Sequence, residues 1–208
     1  MKKIVIFGCG GHAKVVADVI RAHSTYTIAA FFDNSPKNSE FLGYPIFSDL
    51  QKLKVYAKNE QINYAVVAIG NNAARNKLHN EAQELGFIMP TLIHPSSIIS
   101  SSTNIGAGTV IMPGAIINAN ATIHEGCIVN TGAIVEHDCV VGSFTHIAPG
   151  TVLCGGVSIG EMSLVGARTV VIPTMNIGSN VVIGAGSVVV RSVSDNICVI
   201  GNPAKLKK

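Results

Sequence analysis

From Ile93 to Val189 an aliphatic residue returns every six positions, and the series never misses. Its members are Ile93, Ile99, Ile105, Ile111, Ile117, Ile123, Val129, Val135, Val141, Ile147, Leu153, Ile159, Val165, Val171, Ile177, Ile183 and Val189. Four residues after most of them stands a small or modest side chain, as at Thr109, Ala115, Ala121, Cys127, Ala133, Cys139, Thr145, Thr151, Ser163, Thr169 and Ser187. Val157, Met175, Val181 and Val193 are the larger exceptions. A period of six fits neither the 3.6 of an amphipathic helix nor the 2 of a half-exposed strand; it is the period of hexapeptide β-helix repeats. Each hexad builds one short flat face, and three faces close a triangular coil of roughly eighteen residues, with the aliphatic side chain inward and stacked on its counterpart one coil away. Glycines such as Gly106, Gly114, Gly126, Gly132, Gly150, Gly166 and Gly184 suit corners where the backbone turns tightly. A β-sandwich would not hold a fixed six-residue register over this length.

The first ninety residues are patterned differently. Residues 3–7 read as a buried strand, Gly8-Cys9-Gly10-Gly11 as a tight turn and residues 12–23 as a helix. Residues 28–32 and 64–69 read as further strands, and residues 48–57 and 73–85 as helices, the second ending before Gly86. Strand alternating with helix argues for a parallel α/β sheet. The change of period falls near residues 90–94. We therefore expect a small Rossmann-like α/β domain over 1–91 and an all-β parallel β-helix over 92–208.

Charged residues make up only 13% of the chain and mean hydropathy is +0.42, so much of the surface should be weakly polar or buried between subunits. The net charge of +3 is mild, and basic residues are scattered apart from the tail Lys205, Lys207 and Lys208, read as solvated; nothing forms a stripe for nucleic acid. Five cysteines is an odd number, and Cys127 and Cys139 fall on the repeat, which points to packing in a reducing cytoplasm. The apolar run after Met1 breaks at Gly8 with no cleavage site following, and no stretch approaches the ~18–20 residues that cross a bilayer.

Gly8-Cys9-Gly10-Gly11-His12-Ala13 satisfies the Gly-x-Gly-x-x-Gly/Ala fingerprint between a strand and a helix, with Asp33 twenty-five residues beyond Gly8. Glycine backbone and the positive end of the helix suit diphosphate oxygens, and Asp33 suits a ribose or base. By itself this pattern also fits NAD, although the domain is short for a full dinucleotide fold. His12 is a candidate contact to phosphate or sugar, and the loop Ile69-Gly70-Asn71-Asn72 should end at the same carboxyl edge of the sheet, where ligands bind. In the coil, the candidates for chemistry are Glu136, His137, Asp138, His146, Asn130 and His124, because polar side chains belong at corners and outward faces. Glu136-His137-Asp138 places an imidazole between carboxylates, which fix a ring tautomer and raise its basicity. Zinc is not expected: His124, His137 and His146 lie at different steps of the repeat and do not converge.

With these motifs, together with Phe32-Asp33-Asn34, Glu136-His137-Asp138-Cys139 and the closing Gly201-Asn202-Pro203-Ala204-Lys205, the whole chain resembles the bacterial nucleotide-sugar acetyltransferases of the hexapeptide-repeat superfamily, the PglD and NeuD types. The resemblance implies a left-handed β-helix, a homotrimer, and acetyl-CoA in the groove between neighbouring β-helices. It also implies a UDP- or GDP-linked amino sugar held by the N-terminal domain, through Gly8, Gly10, Gly11, His12, Asp33, Asn34, Ile69, Gly70 and Asn71. It makes His137 the general base and Asp138 its orienting acid, sets His146 and Asn130 beside the acetyl group, and gives Gly155, Ala167 and Ala185 to the pantetheine arm. Asn34 departs from relatives that carry a second aspartate there, which bears on the identity of the nucleotide.

The reaction this implies is acetyl transfer from acetyl-CoA to the amine of a nucleotide-linked 4-amino-4,6-dideoxy sugar, for bacterial surface glycans, in the cytoplasm and without a metal. O-acetylation of sialic acid, an NAD-binding protein on a structural β-helix and a non-catalytic trimeric scaffold are the other readings the residues allow.

Overall fold

The structure is a computed structural model that describes residues 1–207; Lys208 of the basic tail lies outside the described residues. The chain divides into two compact units, Met1–Pro95 and a second that begins at Ser96.

The first unit is a five-stranded sheet with three helices. In chain order these are β1 (Lys2–Phe7), α1 (Gly11–Ala22), β2 (Tyr26–Phe32), β3 (Glu40–Phe41), β4 (Tyr44–Phe47), α2 (Leu50–Asn59), β5 (Tyr64–Val67) and α3 (Asn72–Glu84). The sheet order is β3-β4-β2-β1-β5. Strand β1 carries an unbroken apolar run because it is covered on both faces, and Ile4, Val5, Ile6 and Phe7 are wholly buried. Phe7, Phe32, Leu53, Val67, Leu78 and Phe87 share its core. Helix α2 starts later than the pattern of apolar residues suggests because Asp49 caps it, its Oδ1 accepting from the amides of Gln51 and Lys52 at 2.8 and 2.9 Å.

The sheet is not wholly parallel, which corrects the expectation from sequence. β1 runs parallel to β2 and β5, and β4 parallel to β2, but β3 pairs antiparallel with β4. The hairpin turns on Leu42 and Gly43, both in the left-handed region at φ 53° and 81°. Two-residue hairpin turns of this kind favour Asn-Gly or Asp-Gly; leucine at the first position gives no turn signal, so the hairpin is silent in the sequence.

The second unit is the left-handed parallel β-helix. Two-residue strands pair in register eighteen residues apart, as in Ile98–Ile99, Ile116–Ile117, Ile134–Val135, Val152–Leu153, Val170–Val171 and Val188–Val189, and three such parallel sheets form the walls. Every aliphatic of the six-residue series from Ile111 to Val189 is at most 3% exposed. Ile99 and Ile105 are only half-buried, since each belongs to the first coil and pairs on one side.

The small residues of the repeat also face inward, and several brace the wall. Thr145, Thr151, Ser163 and Thr169 donate to the carbonyls of Gly160, Gly166, Gly178 and Gly184 at 2.9, 3.1, 2.9 and 3.2 Å. Cys127 and Cys139 donate in the same way to the carbonyls of Gly142 and Cys154. A buried hydroxyl or thiol is tolerated here because each finds a backbone acceptor fifteen residues on. All five cysteines are free thiols.

The outward side chains differ from wall to wall. One wall presents Ile98, Ile116, Ile134, Val152, Val170 and Val188, whereas another presents Asn104, Thr122, Val140, Ser158 and Asn176. No helix among the described residues is long and apolar enough to cross a membrane.

Candidate functional site

In the first unit the glycine loop leaves β1 beside the loop that leaves β5. Gly8 has φ 114°, and a Cβ there would stand 3.0 Å from the Ala68 carbonyl oxygen and from Ile69 Cγ1, so only glycine lets the two loops approach. A Cβ at Gly10, Gly11 or Gly70 would meet nothing within 4 Å, which leaves that backbone open to a ligand. Gly10 is the N-cap of α1 and offers no side chain to the helix end, and no acidic residue sits in the first turn. Open backbone and the positive end of the helix coincide there, the arrangement that suits an anion.

Asp33 braces this loop. Its Oδ2 accepts from the Cys9 amide at 3.0 Å and its Oδ1 from the Ser35 amide at 3.0 Å. A cavity of about 360 Å³ opens next to it, lined by Cys9, Gly10, Asp33, Lys37, Glu40 and Phe41 among others, so the unforeseen β3–β4 hairpin supplies one of its walls. Asn34 is exposed and does not line the cavity. Asn71 serves as N-cap of α3, its side chain accepting from the Ala74 amide at 2.9 Å. The Cys9 thiol is pushed up to about 11 by burial and by the Asp33 charge, which removes it as a nucleophile.

Arg75 went unnoticed in the sequence. It is 1% exposed, and its guanidinium donates to the carbonyls of Ile69 and Gly70 at 3.1 and 3.2 Å and to Asn72 Oδ1 at 2.8 Å, which fixes the second loop. The available signal was its place on the buried stripe of α3 with Leu78, His79 and Ala82, where an arginine has to be hydrogen-bonded. Burial, then the charge of Arg75, lowers the pKa of His12 to about 4. His12 is therefore neutral near pH 7, and its Nε2 is buried without a hydrogen-bond partner.

In the β-helix the sequence candidates fall at different corners and walls. Asn130, Ala167 and Ala185 follow strands of the wall that contains His146–Ile147 and precede strands of the aliphatic wall. His137, Asp138 and Gly155 lie between the aliphatic wall and the polar one. On the first corner Asn130 Nδ2 lies 3.0 Å from His146 Nε2, while Asn130 Oδ1 accepts from the Thr131 amide at 2.8 Å. That orientation makes the amide the donor to His146 Nε2, so the ring proton resides on Nδ1. His124 belongs to the far side of the polar wall, beside Thr122–Ile123, away from both groups.

His137 Nδ1 donates to Asp138 Oδ2 at 2.8 Å. The carboxylate fixes the tautomer and leaves Nε2 with a free lone pair. The hydrogen bond to Asp138 raises the pKa of His137, the Asp138 charge adds to this, and Glu136 contributes only through its charge. The ring lies over Gly155, one coil on: a Cβ at that position would stand 2.6 Å from both Cε1 and Nε2. Gly155, assigned by resemblance to the pantetheine arm, thus has a visible role as the seat of the imidazole. Among the described residues no cluster of His, Cys, Asp and Glu has the makings of a metal site.

Comparison with known proteins adds four findings. The PglD N-terminal domain family matches residues 3–82. PerB from Caulobacter crescentus, solved with CoA and GDP-perosamine, is 41% identical and superimposes with a TM-score of 0.93 over 100% of this chain and 98% of that one. The acetyltransferase domain of PglB from Neisseria gonorrhoeae FA1090 is 38% identical with a TM-score of 0.91 over 100% of both chains, and it has also been solved with acetyl coenzyme A. The UDP-N-acetylbacillosamine N-acetyltransferase of Bacillus subtilis strain 168 is 41% identical over 121 residues, 53% of this chain and 51% of that protein, so the match spans about half of that curated relative.

Proposed function

The chain belongs to the PglD-type sugar acetyltransferases, and from that premise we propose that it transfers the acetyl group of acetyl-CoA to the amine of a nucleotide-linked 4-amino-4,6-dideoxy sugar. The observation that carries this reading is the His137–Asp138 pair, an outward imidazole with Nδ1 held at 2.8 Å and Nε2 free. The sugar nitrogen attacks the thioester carbonyl, and Nε2 takes the proton the nitrogen loses. The tetrahedral intermediate then collapses with a new C–N bond formed and the C–S bond broken, and the CoA thiolate recovers the proton from the imidazolium. The open amides of Gly10 and Gly11 hold the diphosphate, and the cavity beside Asp33 receives the nucleoside.

The same reading makes the protein a homotrimer acting in the cytoplasm. His137 follows the aliphatic wall whereas Asn130 precedes it and pairs with His146 of the next coil, so one protomer's His137 would meet the other pair across a subunit boundary. The outward row of Ile98, Ile116, Ile134, Val152, Val170 and Val188 is the apolar surface such packing needs, in keeping with a chain of few charges. Acetyl-CoA, Ala167 and Ala185 share that boundary. The names of the relatives, a perosamine complex and a bacillosamine N-acetyltransferase, favour an amine over a hydroxyl as acceptor.

The test is turnover of purified protein with acetyl-CoA against UDP- and GDP-linked amino sugars, with CMP-sialic acid alongside. An amide product with an amino sugar is expected, and His137→Ala should lower kcat by ~10²- to 10⁴-fold. Wild-type turnover in that variant, or acetylation of the sialic acid hydroxyl alone, would defeat the reading.

A further inference from the structure

The three-fold coil stacks residue 138 on residue 120 and residue 120 on residue 102, and the side chains on this column are polar. Asn120 and Asp138 both adopt φ 59°, the left-handed corner conformation that aspartate and asparagine tolerate better than other side chains. Their side chains touch: Asn120 Nδ2 donates to Asp138 Oδ1 at 3.3 Å. Asn120 is anchored from below, its backbone amide donating to Ser102 Oγ at 3.0 Å. Asp138 itself is anchored through its amide to the Ala119 carbonyl at 3.0 Å. Its two carboxylate oxygens are thus divided, Oδ1 to Asn120 and Oδ2 to the imidazole.

This division matters because packing does not hold the carboxylate. The Asp138 side chain is 59% exposed, so hydrogen bonds must set its rotamer, and the His137 side chain, 62% exposed, is steered by its bond to Asp138 as well as by its seat over Gly155. A carboxylate held at one oxygen by the ring alone can swing with it. Held at the other oxygen by a coil-anchored amide, it becomes a fixed post, and the ring orients against it. The Asn120 bond also helps hold the Asp138 carboxyl below its ordinary pKa, after the larger effect of His137.

We infer that Asn120 is a positioning residue for the base, acting through Asp138 on the orientation of His137, with Ser102 anchoring it from the coil below. This rests on the assignment of His137 as the base. Asn120 touches neither the acetyl donor nor the sugar in this scheme, so its loss should appear in turnover and not in binding.

Kinetics of the full chain carry the test. Asn120→Ala should lower kcat roughly 2- to 10-fold, the worth of one exposed hydrogen bond to a carboxylate, with KM for acetyl-CoA and for the amino sugar unchanged. In an Asp138→Asn background the same change should add nothing, because the post it steadies is already gone. Asn120→Asp sets a second carboxylate beside Asp138 and should move the acidic limb of the kcat profile to higher pH. Unaltered kcat in Asn120→Ala, full additivity with Asp138→Asn, or a change confined to KM would each overturn the inference. His137→Ala is assayed in parallel. If it stays active, the base assignment fails; if it is inactive while Asn120→Ala turns over normally, only the role of Asn120 fails.

Discussion

Replacing Gly155 with alanine asks whether coil stacking sets the position of the base. The new Cβ would stand 2.6 Å from Cε1 and Nε2 of His137 and 3.3 Å from Cδ2, where ordinary contact begins at 3.4 Å. The ring must retreat by about 0.8 Å to restore that contact. It can do so cheaply, because it is a solvent-facing side chain on rotatable bonds and Gly155 is not in the left-handed region that alanine would resist. Stability should therefore change by less than ~0.5 kcal/mol, as for most surface substitutions. Aim, by contrast, is costly: an error of about 1 Å in a reacting group removes on the order of 10²-fold in rate. Retreat also strains the 2.8 Å bond to Asp138 that fixes the tautomer. We expect kcat to fall roughly 30- to 100-fold while the thermal midpoint holds, and we expect no further loss when Gly155→Ala is added to His137→Ala. Steady-state kinetics on the amino-sugar substrate with a melting curve on the same samples would measure both. A folded Gly155→Ala protein with wild-type kcat would refute the claim that the glycine seats the ring.

Three other outcomes follow from the same geometry. His137 works as a base only when neutral and its pKa is raised by Asp138, so kcat should rise with pH through a midpoint above the ordinary histidine value of 6.5; Asp138→Asn should move that midpoint to lower pH, and no movement would separate the two residues. His12 has a folded pKa of about 4 against 6.5 when free, so the unfolded chain takes up the proton first and stability, complete above 6.5, is lost as pH falls toward 4. Going from pH 7 to 5 should cost about 2 kcal/mol in urea unfolding, and His12→Gln should lose most of that dependence; an unchanged dependence would show that other groups cause it. Arg75→Gln should destabilise the first unit by about 1.5–3 kcal/mol through loss of charge-assisted hydrogen bonds, and should raise the His12 pKa, readable by NMR titration; a stable variant with an unmoved His12 would contradict the clamp.

The β-helix was legible in the sequence because its periodicity is local and redundant. An inward aliphatic every six residues is repeated through seventeen positions, so no single exception disturbs it. The glycine loop and the triplet Glu136-His137-Asp138 were legible for a similar reason, as both are contiguous in the chain. The β3–β4 hairpin was not, since it turns on a leucine at positive φ that only the surrounding sheet enforces. Arg75 was hidden by its polarity: a guanidinium on a buried helical stripe makes sense only once the carbonyls of Ile69 and Gly70 are placed beside it.

Sequence alone therefore decided the period and the core, which rest on a repeat that announces itself, and it offered Glu136-His137-Asp138 as a candidate because the three are contiguous in the chain. Tertiary structure alone decided which side-chain atoms meet where coils stack: the His137 ring over Gly155, the Asn120 amide against the Asp138 carboxylate, and the Asn130 amide beside His146 Nε2 on a different part of the coil. The physical reason is that corner contacts join neighbouring coils, and the side chains that meet there carry no periodic hydrophobic signal, because they face outward and are chosen for hydrogen bonds and room.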